Sequence, residues 1–236
     1  MKILTCKTLL DVFTSCLPFE FGVYTDTYNY DGPRRTAVLV SGGGTNLQAI
    51  IDAKGRRELP HAEIALVVSS DRNAFALERA KKAGITCSVL DETDYTDNNG
   101  VFDGVKYDQD LAAVLQSNRI EIVVLAGFLV ILGSGVLNLY RDRIINVHPS
   151  LIPSFCGEGF YGLFVHEAAL ARGVKVTGAT VHFVNEITDG GKIIMQKAVE
   201  VVRGDTPGTL QRRVMEQAEW IILPEALEAL CAGRLE

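Results

Sequence analysis

From Thr36 onward, short uninterrupted apolar runs alternate with stretches of helical patterning. A run of Val, Leu, Ile and Ala with no polar face suits a strand covered on both sides, as in a parallel sheet. Residues 37–40 form the first such run, and further strands are read at 63–69, 85–90 and 120–126. Helical stretches at 47–53, 74–83 (closed by Gly84) and 107–117 lie between them. Strand–helix alternation of this kind predicts an α/β fold, a doubly wound, mostly parallel, Rossmann-like sheet. After Asn146 the pattern changes to a Pro-containing loop, then a helix near 165–172. Two strands at 178–184 and 192–201 are expected to pair antiparallel around the loop 185–191, and a terminal helix covers 209–229.

The 236 residues are 47% hydrophobic and 22% charged, enough apolar material for a full core. Residues 1–35 read differently: a short apolar stretch runs into GVYTDTYNYDGPRR, which marks an appendage ahead of a domain spanning 36–236. A formal net charge of −6 argues against nonspecific nucleic-acid binding, which needs a basic surface to neutralise phosphates. Cys6, Cys16, Cys87, Cys156 and Cys231 are odd in number and scattered, with no C-x-x-C pair. That pattern fits neither a disulfide framework nor a zinc module and suits a reducing cytoplasm. Lys7 and Asp11 interrupt the N-terminal apolar run, so it is not read as a signal peptide. No segment offers the roughly 18 apolar residues of a membrane helix. Oligomeric state is not read from the sequence.

Between the first strand and the first helix stands Ser41-Gly42-Gly43-Gly44-Thr45-Asn46. A glycine turn at a helix N-terminus lets backbone N–H groups converge on an anion, and Thr45 and Asn46 add side-chain donors. The turn lacks the Gly-Lys-Ser/Thr ending of a P-loop. A dinucleotide fingerprint would require a third glycine where Leu47 stands. The plainer alternative is a tight turn with no ligand.

The segment IINVHPSLIPSF carries the densest chemistry. Asn146 and His148 are two apart, so on a strand they share a face, and Pro149 biases His148 to an extended backbone. An amide and an imidazole side by side can both donate to a carbonyl oxygen that becomes negative during attack. His61, in a loop beside Pro60, reads as solvated, and His166 as a helix residue without a partner nearby in sequence. His182, alternating with Thr180, reads as a packed or hydrogen-bonded sheet residue, leaving His148 as the one histidine with a constellation. Asp189 lies in the glycine-closed loop ITDGG, where Asp before Gly is as readily a turn former as a chemical group.

Taken in order, SGGGTNLQAIIDA, VVLAGFLVIL, NVHPSLIPSF, GATVHFVNEITDGG and RVMEQAEWIILPEAL resemble the phosphoribosylglycinamide formyltransferases, within the folate-dependent formyltransferases. The resemblance runs from about Thr36 to the C-terminus and leaves the N-terminal segment uncovered. It implies Asn146, His148 and Asp189 as a catalytic trio, and Gly44, Thr45 and Asn46 as holders of a substrate phosphate. Glu219 would sit near the substrate's ribose, and Leu129, Val130, Ile131 and Leu132 would line a pterin pocket together with Asn146. Val130 stands where the family often has Arg, and Lys106 is the nearby basic candidate for the folate tail, a contact left unassigned.

The implied reaction moves a formyl group from 10-formyltetrahydrofolate, as cosubstrate, to the amine of phosphoribosylglycinamide in purine synthesis. Asn146 and a protonated His148 would stabilise the oxyanion, with Asp189 raising the histidine's pKa. The expected partners are small molecules, with no nucleic acid, no membrane and no metal. A formyltetrahydrofolate hydrolase shares the trio but is expected to carry a longer N-terminal regulatory domain, and it has no use for a phosphate turn. A methionyl-tRNA formyltransferase would add a C-terminal domain. A folate- or nucleotide-binding module without turnover and a nicotinamide oxidoreductase are the readings from other classes.

Overall fold

The computed structural model describes residues 32–235. Of the segment set apart in the sequence, residues 1–31 lie outside the described part, and Arg34 and Arg35 already belong to the first strand. The elements run β1 (Arg34–Val40), α1 (Thr45–Gly55), β2 (Ala62–Ser69), α2 (Phe75–Lys82), β3 (Thr86–Val89) and α3 (Gly104–Ser117). There follow β4 (Ile122–Leu125), α4 (Ser134–Leu139), β5 (Ile144–His148), α5 (Leu163–Arg172), β6 (Val176–Phe183), β7 (Ile193–Glu200), α6 (Pro207–Val214) and α7 (Trp220–Cys231).

The seven strands form one sheet in the order β3-β2-β1-β4-β5-β6-β7. Pairing is parallel from β3 through β5 and antiparallel at β5–β6 and β6–β7. The chain winds outward from β1 to β3 and then returns to place β4 on the other side of β1. The winding direction therefore switches between β1 and β4, and open α/β sheets usually bind their ligands at the carboxyl ends of the strands beside such a switch.

Both faces of the sheet are covered, as the apolar runs require. Val38 and Val40 of β1, Val124 of β4 and Ile145 and Val147 of β5 face one layer, with Leu47 and Ile50 of α1 and Leu223 and Leu227 of α7. Ala37, Leu39, Val123 and Ile144 face the other, with Leu111 and Leu115 of α3 and Val136 of α4. Alternate residues of one strand thus enter opposite layers. Among the described residues no helix is long and apolar enough to cross a membrane.

The terminal helix differs from its expectation of one continuous rod. A π turn at Met215–Glu219 separates α6 from α7, and Pro224 lies inside α7. Widened turns and prolines are the usual places where a long helix departs from regularity. The short helix α4 was also unmarked in the sequence, because its capping group comes from elsewhere. Asp108 of α3, only 8% exposed, accepts from the backbone amides of Gly133 and Gly135 at 2.9 Å each and of Val136 at 3.3 Å. Side chains at 133 and 135 would collide with that carboxylate, since an added Cβ would lie 2.6 Å from its Cγ and 2.5 Å from its Oδ2 respectively.

One buried carboxylate satisfying three backbone amides makes Asp108 a strong stability determinant. Asp108→Ala is expected to lower unfolding free energy by about 2–4 kcal/mol, read as a lower urea midpoint at unchanged slope. Asp108→Asn, which keeps one acceptor oxygen, should lose less. Equal midpoints for the wild type and the alanine variant would contradict this capping role.

Candidate active site

β5 carries Asn146 and His148 to the carboxyl edge of the sheet, on the face opposite Ile145 and Val147. β6 lies beside it antiparallel, with His182 directly opposite Asn146 and Thr180 directly opposite His148. Directly opposed residues share a face, so the four polar side chains form one patch. The loop after His148 is fastened to the same strands. Thr180 Oγ1 donates to the Ser150 carbonyl at 2.7 Å and accepts from the Ile152 amide at 3.1 Å. Gln196 of β7 donates to both Thr180 Oγ1 and the Ile152 carbonyl at 3.0 Å.

Asp189 reaches this patch from the β6–β7 loop. Its backbone is left-handed at φ 55°, a conformation Asp tolerates better than most residues. A Cβ on Gly190 would stand 2.6 Å from Ile187 Cγ2, and one on Gly191 would overlap the Phe183 carbonyl. The two glycines thus let the loop fold tightly and turn the carboxylate inward, where the side chain is 8% exposed. Its Oδ2 accepts from the Gly157 amide at 2.8 Å and lies 3.4 Å from His148 Nδ1, and its Oδ1 lies 3.4 Å from His182 Nε2.

The hydrogen bonds define how the rings present their nitrogens. His148 Nε2 donates to the Phe155 carbonyl at 2.8 Å, so a neutral ring turns a bare Nδ1 toward Asp189 while a protonated ring can donate to both. His182 Nδ1 donates to the Phe183 carbonyl at 2.7 Å, leaving Nε2 of the neutral ring to accept from the Asn146 amide nitrogen at 3.2 Å. Asn146 therefore has its carboxamide oriented by His182 and keeps a second N–H.

Burial is the largest influence on Asp189 and pushes its pKa up. The contact with His182, the hydrogen bond from Gly157 and the positive charge each imidazole can carry outweigh it, and the net shift is downward. For His148 the balance falls the other way from expectation. Burial lowers its pKa, the opposing pull of Asp189 and the Phe155 carbonyl does not make up the difference, and the charge of His182 lowers it further. The raised pKa expected from Asp189 is thus overridden by desolvation.

His182 is the residue the sequence reading left out of the constellation. It is packed and hydrogen-bonded in the sheet as expected, but its partner is Asn146. Register between two strands far apart in sequence supplied that contact, and the shared alternation of Thr180 and His182 was its only trace. His166 is fully buried in α5, with neither ring nitrogen hydrogen-bonded among the described residues. Burial, and secondarily the charge of His148, brings its pKa down to about 4. His61 is half-exposed but not merely solvated, since its Nδ1 lies 2.6 Å from Glu228 Oε1.

The glycine turn lies at the same sheet edge, after β1. Gly44 begins α1 with φ 69°, and no side chain caps that helix end. Thr45 Oγ1 donates to Met215 Sδ at 3.6 Å, and the buried Asn46 donates through Nδ2 to Glu219 Oε2 at 2.7 Å. The π turn thus sets Met215 and Glu219 against the first turn of α1. The segment after β4 is tied to the glycine turn as well: the Leu129 amide donates to Ser41 Oγ at 2.9 Å. Leu129 and Ile131 are exposed, Leu132 is half-buried, and Val130 packs into the core at 9% exposure. Lys106 is held by Asp110 at 2.7 Å and lies over the Tyr95 ring. Among the described residues no group of three His, Cys, Asp or Glu is placed to hold a metal.

A family model described as formyl transferase matches residues 34–227. The phosphoribosylglycinamide formyltransferase of Haemophilus influenzae is 37% identical over 202 residues, covering 86% of this chain and 89% of that one. The human trifunctional purine biosynthetic protein adenosine-3 is 40% identical over 216 residues, 91% of this chain but 20% of the human protein, so the chain spans about a fifth of that relative. The crystal structure of glycinamide ribonucleotide transformylase 1 from Symbiobacterium toebii superposes with a TM-score of 0.76 at 40% identity, covering 86% of this chain and 89% of that one.

Glu219 generates a prediction. Burial raises its pKa to about 7, against the lowering effect of the Asn46 hydrogen bond. A carboxyl raised in the folded state contributes stability that is fully present below its unfolded value, near 4.5, and lost as pH rises through about 7. Glu219→Gln keeps the acceptor for Asn46 and removes the ionisation. Urea titrations from pH 5 to 9 should show the wild type losing about 1–3 kcal/mol relative to the variant. Parallel pH profiles would sink the assignment.

Proposed function

The chain belongs to the formyl transferase family, and from that premise we propose that it transfers the formyl group of 10-formyltetrahydrofolate to the primary amine of phosphoribosylglycinamide. The observation that carries this reading is the meeting of Asn146, His148, His182 and Asp189 at the sheet edge that also holds an uncapped helix N-terminus. An oxyanion-stabilising patch serves acyl transfer, and a helix end with free amides serves a phosphate.

In the proposed reaction the glycinamide amine attacks the formyl carbon. A C–N bond forms, the carbonyl electrons move to oxygen, and the C–N10 bond of the folate then breaks. The second N–H of Asn146 donates to the oxyanion. His148 joins it by opening one of its two contacts, of which the 3.4 Å approach to Asp189 is the weaker. Burial leaves the resting imidazole short of full protonation, and negative charge growing on the formyl oxygen reverses that balance. Asp189, held as a carboxylate, receives the proton shed by the amine, directly or through water, and that same proton passes to N10 as the C–N10 bond breaks. His182 acts through Asn146, as a positioning residue.

Gly44, Thr45 and Asn46 form the phosphate end, with Glu219 accepting from ribose hydroxyls. Leu129, Val130, Ile131 and Leu132 form the pterin side, where the exposed Leu129 and Ile131 offer apolar contact and Val130 supports them from the core. The free thiols of Cys87, Cys156 and Cys231 suit a reducing cytoplasm.

The test is a spectroscopic assay of 10-formyltetrahydrofolate consumption with and without glycinamide ribonucleotide. Consumption is expected only with the ribonucleotide. Consumption without it would instead identify a hydrolase, and none in either case a binding module. His148→Ala and Asp189→Asn are each expected to slow turnover by at least about 10²–10³-fold while remaining folded. Near-normal rates in either variant would remove that residue from the mechanism.

A further inference from the structure

Two carbonyls of the glycine turn are held from behind by α2. The Ala76 amide donates to the Gly42 carbonyl at 3.0 Å, and Arg79 Nε donates to the Gly43 carbonyl at 2.8 Å. The Arg79 guanidinium is itself fixed: Nη1 donates to Gln48 of α1 at 3.1 Å, and the group lies 5.0 Å from the centroid of the Phe75 ring. Contact between α2 and the turn is close enough that a Cβ on Gly44 would stand 2.6 Å from Ala76 Cβ and 3.4 Å from Arg79 Cδ.

In a planar trans peptide the carbonyl and the following N–H point in opposite directions. Drawing the Gly42 and Gly43 carbonyls toward α2 therefore aims the N–H groups of Gly43 and Gly44 at the open side of the turn. The same guanidinium places a fixed positive charge one peptide behind those amides. A phosphate monoester carries close to two negative charges at neutral pH, and both effects favour it over a neutral hydroxyl.

We infer that Arg79 is a positioning residue for the substrate phosphate, acting through the Gly43 carbonyl to present the Gly43 and Gly44 amides as anion donors. The inference rests on the reading of the turn as a phosphate cradle and adds a residue outside the turn that makes it one. At Gly44 the close approach of α2 excludes a side chain, whereas a Cβ on Gly42 or Gly43 would meet nothing within 4 Å.

The experiment compares glycinamide ribonucleotide with its dephosphorylated riboside as formyl acceptors, in the wild type, Arg79→Met and Arg79→Lys. Inorganic phosphate serves as a competitive probe. The wild type should prefer the ribonucleotide and be inhibited by phosphate. In Arg79→Met, KM for the ribonucleotide and Ki for phosphate should rise together by about 10–100-fold, with kcat and the riboside's kcat/KM little changed. Arg79→Lys, which keeps the charge and one donor, should recover most of the loss. If Arg79→Met retains the wild-type preference for the phosphorylated acceptor, the inference is overturned while the cradle stands. An equal loss on both acceptors with a lowered Tm would reduce Arg79 to a structural role and overturn it too. A wild type indifferent to the phosphate, and not inhibited by it, would remove the cradle itself.

Discussion

A slip of one residue between β5 and β6 would turn Thr180 and His182 to the far face of the sheet and bring Val181 into their place. Asn146 would lose the nitrogen that orients its amide, and Asp189, six residues beyond the end of β6, would be carried away from His148. Register is held against such slippage by burial. Ala179 and Val181 of β6 and Ile145 and Val147 of β5 all enter one apolar layer, and shifting either strand by one would expose its apolar set. Thr180 adds a polar lock, since its single hydroxyl joins β6 to the Ser150 carbonyl and the Ile152 amide of the loop leaving β5. The polar patch is a consequence of apolar packing on the opposite side of the same two strands.

Electrostatics around the site is a contest between desolvation and pairing: pairing prevails at Asp189, and desolvation at His148, His166 and Glu219. Asp189 receives a backbone amide and faces two imidazoles, which together outweigh its burial. His148 has one carbonyl and one carboxylate in its favour, the latter at 3.4 Å, and burial prevails. Among the described residues His166 has no hydrogen-bond partner, and its proton is correspondingly disfavoured. Glu219 has a single amide donor and keeps its proton to about pH 7. The number of hydrogen bonds offered to the charged form orders these outcomes better than distance from a formal charge does. In the proposed reaction that ordering is useful: an ionised acceptor stands beside an imidazole whose proton burial disfavours.

Much of the fold was legible because parallel strands buried on both faces leave largely apolar runs, and β1, β2 and β4 announced themselves that way. The antiparallel pair near the C-terminus was legible from the glycine-closed loop between its members. What stayed hidden depended on partners remote in sequence. Helix α4 needs Asp108 from another helix for its first turn, so no local capping residue marks it. The break in the terminal helix had a visible sign in Pro224, although the π turn lies just before it. Within the site, Asn146 and His148 were legible as an i, i+2 pair on a strand, whereas His182 required knowledge of register. The direction of the His148 shift required knowledge of burial, which alternation alone does not measure for a residue at a strand end.

The remaining question is why groups gathered from so many segments should hold still enough for chemistry. Few of them sit on a free loop end. Ser41 accepts the Leu129 amide and shares a 2.6 Å hydrogen bond with Ser70, so the loops after β1, β2 and β4 meet at one hydroxyl. The β6–β7 loop is anchored to the segment after β5 where Gly157 donates to Asp189. The terminal helix is pinned to α1 through Glu219 and Asn46. In the proposed ternary complex these ties matter more than their individual strengths, because together they fix the segments that carry the two subsites relative to one another. A shift at the glycine turn moves Leu129 on the pterin side, and a shift in the terminal helix moves Asn46 at the phosphate end. Positioning two substrates within bonding distance is a constraint on relative placement, and the cross-loop hydrogen bonds are the part of this structure that imposes it.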